Sequence, residues 1–549
     1  MATENDTVLV NARLFTAGQA GSRPGGVAVR GGRILAVGAD EEVRAAVGRD
    51  AEVVDVEGGL VLPGFQDAHV HPVMAGLNML RCELHGTTSA QECLDRIAAY
   101  AAAQPDVPWI LGAGWSMESF PGGTPTRQAL DAVVPERPVV LTNRDGHGVW
   151  VNTAALRVAG ITSSTPDPAD GRIEREPDGQ PSGALHEGAM SLVLTHAPTA
   201  GPEDAYRGLL TAQQHLFALG ITSWQDAAVG AVFGMPDLLD TYRAAAESGD
   251  LKARVVGSLW WDRDAGIEQV DTLVARRASG AAGRFRPIVV KIMQDGVAEN
   301  FTAAMTEPYL DGCGCATDNA GLSFVDPQAL RGYVTRLDAE GFSVHFHALG
   351  DRAVREALDA LEAAQSANGR SANRHHLAHL QVVHPDDVVR FARLGATANM
   401  QPLWACHEPQ MDELTIPFLG DRRAAWQYPF KALADAGAHL AAGSDWSVSS
   451  ANPIEGIHVA VNRRHPSSPG PAFYPENALT LEQALSAYTA GTAFVNHHED
   501  STGHLRAGYQ ADLVVLDRDP LSAPAEEIVE ARALRTYVGG ELVHDATTT

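Results

Sequence analysis

The stretch GLVLPGFQDAHVHP, residues 59–72, decides the fold of this chain. An apolar run leads directly into His69 and His71, which are separated by one residue. Side chains on a β-strand alternate between its two faces, so both imidazoles point to the same side. In a parallel barrel that side is the interior, and active sites assemble at the carboxyl ends of the strands. Two imidazoles directed into one space suit a divalent ion such as Zn²⁺, although a single pair is equally typical of an ordinary polar strand end.

Four later apolar runs end in the same way, each with one candidate ligand. The ligands are Lys291 after PIVV, His347 in FSVHFH, His379 in HHLAHL and Asp445 after HLAAGS. Strand ends that converge on one barrel mouth would bring these side chains together with the first two histidines. The pattern therefore predicts a metal site of six residues, in which Asp445 is also placed to take a proton from water as general base.

Several of these residues have structural alternatives that the sequence leaves open. Lys291 could form a salt bridge or extend its amine to solvent, and it would ligate a metal only after carbon dioxide has converted it to a carbamate. Asp445 could cap the helix that follows it. His345 shares the face of His347, so it is expected to support a ligand, to contact substrate or to fill a polar interior position.

The pattern along the chain predicts an α/β protein built on a TIM-type (β/α)8 barrel. Strand-like runs lie at 61–71, 109–113, 138–142, 221–226, 254–260, 287–293, 342–347, 375–381, 396–400 and 439–444. These exceed the eight that a barrel needs, so residues from about 86 to 200 are predicted to be a subdomain inserted after the first barrel strand. Short strands with glycine pairs near both ends predict that residues 1–62 and 495–549 form one small β-sandwich beside a barrel of residues 63–494.

Composition limits the class of partner. The chain has 41 basic and 68 acidic residues, a formal charge of −27, which repels nucleic acid and anionic membranes. Its first ten residues lack the features of a signal peptide and no long apolar segment follows, so a cytoplasmic protein without a membrane partner is expected. Five cysteines fit a reducing compartment, and Cys313 and Cys315 in the loop DGCGC are expected to be loop residues rather than metal ligands.

Sequence blocks along nearly the whole chain resemble the amidohydrolase superfamily, and more narrowly its N-substituted formamide deformylase-like branch. The blocks are GFQDAHVHP, GWSMESFPGGTPTRQALDAVVPERPVVL, DGHGVWVNTAAL, GITSWQDA, VVKIMQDG, HFHALGDRAV, AHLQVVHPDD, NMQPLW and AAGSDWSV. The resemblance implies one or two divalent metal ions per subunit, with Zn²⁺ expected. It implies a first metal on His69 and His71, a bridging carbamate on Lys291, a second metal on His347 and His379, and Asp445 as metal ligand and general base.

The surroundings of the site supply candidate substrate contacts. Trp446 stands where a small residue is common in the branch, so it is expected to narrow the pocket or to form an aromatic wall. Trp115, Asp145 and His147 lie in the predicted insertion, where they are expected either to reach over the barrel mouth or to hold turns. His345 completes the set of candidate substrate contacts.

The resemblance implies hydrolysis of a linear amide C–N bond, with an N-substituted formamide or a similar N-acyl amine as substrate. Two alternatives stay open. The same site could cleave another amide, a carbamate or a cyclic amide, or the barrel could bind ligands without catalysis, because a fold does not dictate a function. By the same analogy the subunits are expected to pair as a homodimer.

Overall fold

The computed structural model describes residues 6–232, 235–468 and 470–548, so the first five residues of the predicted signal-free N-terminus lie outside the described residues. The strands are β1 (Thr7–Leu14), β2 (Arg23–Arg30), β3 (Arg33–Gly38), β4 (Glu52–Asp55), β5 (Leu60–Pro63), β6 (Phe65–Val70), β7 (Cys82–Glu83), β8 (Ile110–Trp115), β9 (Val139–Asn143), β10 (Gly148–Val151), β11 (Gly171–Arg175), β12 (Pro181–Glu187), β13 (Ile221–Val229), β14 (Arg254–Trp260), β15 (Phe285–Met293), β16 (Ser343–Ala348), β17 (His376–His379), β18 (Thr397–Met400), β19 (His439–Ala442), β20 (Leu513–Leu516), β21 (Ala533–Val538) and β22 (Glu541–Asp545).

The α-helices mostly alternate with these strands. They are α1 (Asp40–Ala46), α2 (Pro72–Met79), α3 (Ala90–Ala103), α4 (Arg127–Val133), α5 (Thr153–Ala159), α6 (Ser191–Leu194), α7 (Pro202–Ala218), α8 (Leu238–Ser248), α9 (Gln269–Gly280), α10 (Pro327–Ala339), α11 (Asp351–Asn368), α12 (Pro385–Leu394), α13 (Ile416–Ala424), α14 (Phe430–Asp435), α15 (Pro453–Asn462), α16 (Leu481–Ser486) and α17 (Thr492–Val495). Among the described residues, no helix is both long enough and apolar enough to cross a bilayer.

Helices begin where the sequence supplies caps. The Asp326 carboxylate accepts hydrogen bonds from the N–H groups of Gln328 and Ala329 at 3.0 and 2.9 Å, and a proline opens α10 directly after it. The Ser89 hydroxyl accepts from the N–H of Glu92 at the start of α3. Such caps satisfy N–H groups that have no partner inside the helix, so they fix where each helix starts between two strands.

Eight parallel strands form the central sheet of the molecule. Their order is β6, β13, β14, β15, β16, β17, β18 and β19, each hydrogen-bonded to the next. The first and last strands approach each other at their carboxyl ends. There the Asp445 N–H donates to the His69 carbonyl at 2.7 Å and the His71 N–H donates to the Trp446 carbonyl at 2.8 Å. This nearly closed barrel confirms the predicted TIM-type fold.

The expectation of one continuous strand over 61–71 was wrong, because this run forms two strands in two sheets. β5 pairs with β1 and β20, whereas β6 pairs with β13 and begins the barrel. Gly64 separates them and packs so closely on Thr222 that a Cβ there would lie 2.3 Å from its Cγ2. Only glycine permits this approach, and the strands on both sides of it are buried.

Two of the predicted strands belong to a separate sheet. The runs near 109–113 and 138–142 appear as β8 and β9, in a six-stranded sheet of order β11, β12, β10, β9, β8, β7. In the chain this sheet lies between the first and second barrel strands, β6 and β13. The surplus over eight strands is thereby explained.

Strands from both ends of the chain share a third sheet. Its order is β22, β21, β20, β5, β1, β2, β3, and β4 pairs with β1. The antiparallel pairing of β20 with β5 joins the two termini. Arg254, at the start of barrel strand β14, binds the Asp512 carboxylate at 2.6 Å and so fixes this sheet to the barrel. The two-layer sandwich and the domain boundaries stay predictions.

Candidate metal centre

All six predicted ligands line one cavity at the carboxyl ends of the barrel strands. Its volume is about 70 Å³. The six side chains come from β6, β15, β16, β17 and the segments that directly follow β6 and β19. They are those of His69, His71, Lys291, His347, His379 and Asp445. The structure thus brings together residues that are separated by up to 376 positions in the sequence, from 69 to 445.

Asp445 occupies the middle of this group. Its Oδ1 lies 3.2 Å from His69 Nε2 and 3.1 Å from His71 Nε2, and its Oδ2 lies 3.9 Å from His379 Nδ1. The backbones of Asp445 and His379 have φ values of 57° and 77°, in the left-handed region that non-glycine residues rarely adopt. Strained backbone of this kind is concentrated at functional sites, where the surrounding structure holds it.

Protonation leaves these groups ready to act as ligands. Burial lowers the pKa of His69 to about 3, and it lowers the pKa of His347 and His379 well below the usual range, so the three imidazoles are neutral near pH 7. Burial alone would raise the pKa of the Asp445 carboxyl, but its contacts with His69 and His71 hold that pKa well below the usual range. Neutral imidazoles and an ionised carboxylate are the forms that bind divalent metal.

The polar atoms of the cavity are arranged to bind a divalent ion, and several of them form no hydrogen bond with each other. His69, His379 and Asp445 each offer a ligand atom, and these three atoms lie within 4.8 Å of one another. Both ring nitrogens of His379 and the Nζ of Lys291 are buried, with no hydrogen-bond partner among the described residues. Buried polar atoms normally have partners, so this arrangement indicates that the site is built around a further group.

An imidazole and a carboxylate behind the ligands fix their orientation. His345 Nε2 lies 2.9 Å from His69 Nδ1, so His345 supports a ligand from beneath and does not line the cavity. Asp295 Oδ1 lies 3.2 Å from His347 Nδ1. The Asp295 carboxylate also accepts from three backbone N–H groups, and burial raises its pKa to about 7. Such partners hold a metal-binding imidazole in one orientation.

The inserted sheet also reaches the cavity. His147 lines it, and its Nδ1 lies 2.9 Å from Glu187 Oε2, while Glu187 Oε1 accepts from the Thr302 hydroxyl at 2.7 Å. Burial alone would lower the pKa of His147, but the adjacent Glu187 carboxylate raises it to about 9. The insertion therefore places a cationic hydrogen-bond donor beside the candidate ligands. The sequence suggested His147 but gave no sign of Glu187.

The family model described as "Amidohydrolase family" matches residues 52–544. The chain belongs to the amidohydrolase family. The predicted resemblance is confirmed, and this amidohydrolase is a hydrolase of carbon–nitrogen bonds other than peptide bonds, as expected.

The amidohydrolase is similar to known proteins over nearly its whole length. The protein LONG AFTER FAR-RED 3 of Arabidopsis thaliana is 31% identical, over 98% of this chain and 91% of its own. The N-substituted formamide deformylase of Arthrobacter pascens is 29% identical over 100% of both chains. A crystal structure of an uncharacterized metal-dependent hydrolase from Pyrococcus furiosus is 27% identical, with a TM-score of 0.71 over 94% of this chain and 100% of the other.

Not every candidate substrate contact lies at the centre of the amidohydrolase. Trp115 is buried in the insertion, where its Nε1 donates to the Leu141 carbonyl and its ring packs on Phe120 and Trp150. It does not line the cavity of the candidate ligands or a second cavity, which adjoins the first. Its position supports packing and not substrate contact. Trp446 lines this second cavity, and its ring stacks on His215.

The cysteine loop lies apart from the metal cavity. Cys313 and Cys315 are exposed, and the Asp311 carboxylate accepts from both of their backbone N–H groups. In the described part of the chain, the group of side chains that could hold a metal contains neither thiol.

Proposed function

We propose that this amidohydrolase cleaves a linear amide C–N bond, with N-substituted formamides and similar N-acyl amines as its substrates. The observation that carries the proposal is the convergence of six candidate ligands on one cavity. The full-length similarity to an N-substituted formamide deformylase supports the choice of substrate class. Family membership favours this hydrolytic function over a barrel that only binds ligands.

The bound metal is proposed to be Zn²⁺, with one or two ions per subunit. Its ligands would be His69, His71, His347, His379 and Asp445, with Lys291 contributing as a carbamate. When bound, such an ion supplies Lewis acidity, which makes water nucleophilic near neutral pH and polarises a carbonyl group.

Lys291 is chemically suited to carbamate formation. Its side chain is 1% exposed, and burial lowers the pKa of its amine to about 7. A substantial part of the amine is then uncharged at neutral pH, and only an uncharged amine attacks carbon dioxide. The carbamate would replace a buried amine that has no hydrogen-bond partner among the described residues with an anionic oxygen ligand.

The chain's own side chains would move the protons. Asp445 is ionised, so its carboxylate can accept the proton that water loses as it attacks the carbonyl carbon. The same carboxyl group then delivers that proton to the leaving nitrogen. His147 is positioned on the cavity wall as a charged donor, which would stabilise negative charge on the carbonyl oxygen.

A substrate comparison tests the proposal. Protein loaded with Zn²⁺ is incubated with N-benzylformamide, N-benzylacetamide, a benzyl carbamate and a cyclic amide, and both formate and amine are measured. We expect equal amounts of formate and benzylamine from the first compound, at the highest kcat/KM of the set. Cleavage of only the other compounds would favour the alternative substrates and reject a deformylase.

The cytoplasmic location and the homodimer stay predictions. Analytical ultracentrifugation of the metal-loaded protein would test the homodimer.

A further inference from the structure

A second, larger cavity, the outer cavity, adjoins the metal cavity. Its volume is about 410 Å³, and it shares Asp145, Val297, Trp404 and Val448 with the metal cavity. Cavities of roughly 300–1,000 Å³ are typical of sites for small organic ligands. A formamide has only hydrogen on its acyl carbon, so the outer cavity would receive the substituent on nitrogen.

The outer cavity carries an excess of negative charge. Its lining includes one arginine, Arg144, which lies 3.5 Å from Glu118 and 3.6 Å from Glu408. Asp145 and Glu299 also line it, and no ion pair within the described ranges joins either of them to a cation. Both carboxylates interact with Arg144, and Asp145 also interacts with His147, but the carboxylates that line the cavity outnumber these cations.

A hydrogen bond holds the Glu299 side chain in place. Its Oε1 accepts a hydrogen bond from the Thr415 hydroxyl at 2.7 Å. Burial, together with the charges of Asp145 and Glu408, raises the pKa of Glu299. A cation bound next to this carboxylate would offset both effects.

A buried amide oxygen provides an independent sign of a missing ligand. Gln381 lines the outer cavity and is 2% exposed, yet its Oε1 has no hydrogen-bond partner among the residues that the structure describes. The amide is oriented because its Nε2 donates to Gln427 Oε1 at 3.3 Å, and Gln427 Nε2 donates to the Ala424 carbonyl at 3.2 Å. A buried acceptor without a partner is costly, so a ligand N–H would be stabilised there.

Aromatic rings complete the walls. Trp404 stacks on His379 with ring centroids 5.4 Å apart, and Trp446 stacks on His215 at 4.7 Å. Tyr428 also lines the cavity. Aromatic faces attract organic cations, and they also pack against the apolar part of a substituent.

We infer that the outer cavity binds the nitrogen substituent of the substrate, and that this substituent carries an ammonium or guanidinium group recognised by Asp145, Glu299 and Gln381. The inference rests on the proposed function, because it assigns the outer cavity to one side of the amide cleaved at the metal centre. The net charge of −27 would also raise the local concentration of a cationic substrate.

A pair of substrates of equal shape tests the inference. N-[4-(aminomethyl)benzyl]formamide carries an ammonium group where N-(4-ethylbenzyl)formamide carries a methyl group. We expect the metal-loaded protein to favour the cationic compound by about tenfold in kcat/KM, mainly through KM, as one charge-assisted contact would produce. Equal values for the two compounds would overturn the inference.

Variants locate the effect. Glu299→Gln keeps the shape of the side chain and should remove most of the preference for the cationic compound. Asp145→Asn should act in the same direction. Glu413→Gln, an exposed residue outside both cavities, is the matched control and should retain the preference. An unchanged preference in both cavity variants would contradict the assignment.

A binding measurement separates this inference from the proposed function. Calorimetry compares 1,4-bis(aminomethyl)benzene with 4-ethylbenzylamine on the Zn²⁺-loaded protein and on Glu299→Gln. If no formamide is cleaved but the diamine binds more tightly and loses that advantage in Glu299→Gln, the cation site stands and the deformylase proposal fails. If formamides are cleaved without any preference for the cation, the proposed function stands and the inference fails.

Discussion

Asp445 is the residue on which the proposed chemistry of the centre depends. Its carboxylate lies within 3.2 Å of two imidazole nitrogens, and its backbone N–H is tied to the His69 carbonyl at 2.7 Å. The side chain and the backbone are therefore fixed together at the point where the barrel closes. A residue held in this way can alternate between proton acceptor and proton donor without moving.

Asp445→Asn should separate metal binding from turnover. The amide keeps the size of the side chain but accepts no proton at neutral pH, so we expect kcat to fall by about 10²–10⁴-fold, the usual contribution of a general base. Metal content, measured by mass spectrometry, should remain at half or more of the wild-type value. Turnover within a few-fold of the unchanged protein would remove Asp445 from the role of general base.

Asp295→Asn should weaken the metal site without touching its ligands. The substitution removes the ionisable carboxyl group that orients His347, and loss of such a partner typically lowers metal affinity by about 10–100-fold. Affinity is measured by competition with a chelator of known strength. Asp318→Asn, an exposed carboxylate in the same loop, serves as control and should leave affinity unchanged. Equal affinities for both variants would show that Asp295 has no such effect.

Strand periodicity explains which site residues could be predicted. His69, His71 and His347 stand at or next to strand ends, where alternation assigns each side chain to a face. Asp295 and Gln381 lie just beyond strand ends, where no period applies and only the folded loop decides direction. The role of Trp115 in the insertion core depends on contacts with Phe120 and Trp150, which spacing along the chain does not reveal.

At the level of elements, β6 is held to the last barrel strands by buried amides. Asn399 Nδ2 donates to the Ala68 carbonyl at 2.8 Å. Gln401 Nε2 donates to Asn399 Oδ1 at 3.2 Å, and Gln401 Oε1 accepts from the His379 N–H at 2.6 Å. These side chains replace part of the ladder that would close a regular barrel. They also connect two ligand-bearing strands.

Asn399→Ala should therefore destabilise the barrel. The change leaves a buried carbonyl and a buried amide without partners, which lowers the free energy of unfolding by about 1–3 kcal/mol for each group left unsatisfied. Urea unfolding followed by tryptophan fluorescence measures the effect. Gln91→Ala, on the exposed face of α3, is the control and should change stability by no more than about 0.5 kcal/mol. A similar loss in both variants would argue against a role in closure.

The boundaries of elements were harder to predict than their existence. All eight barrel strands coincide with predicted runs, because buried parallel strands are rich in apolar residues. The division of the run 61–71 at Gly64 escaped prediction, although both strands are buried throughout. What separates the two strands is the sheet that each one joins, and that depends on residues far along the chain.

For the whole molecule, metal should act as a folding ligand. The six candidate ligands come from separate strand ends, so an ion bound to them stabilises only the folded barrel. Removing metal with a chelator should lower the Tm by several degrees, and adding Zn²⁺ back should restore it. Calorimetry measures both steps, with Mg²⁺ as the control ion. Identical melting curves before and after chelation would contradict a metal-supported fold.

The pairing of β5 with β20 has a consequence for synthesis on the ribosome. β5 ends at Pro63, and its partner β20 begins at Leu513, so nearly the whole chain is translated before the two can meet. At about 5–20 residues per second, the nascent chain would keep that hydrogen-bonding edge unpaired for roughly 20–90 s. A chaperone that shields exposed edges during translation would therefore raise the yield of this protein more than one that acts after release.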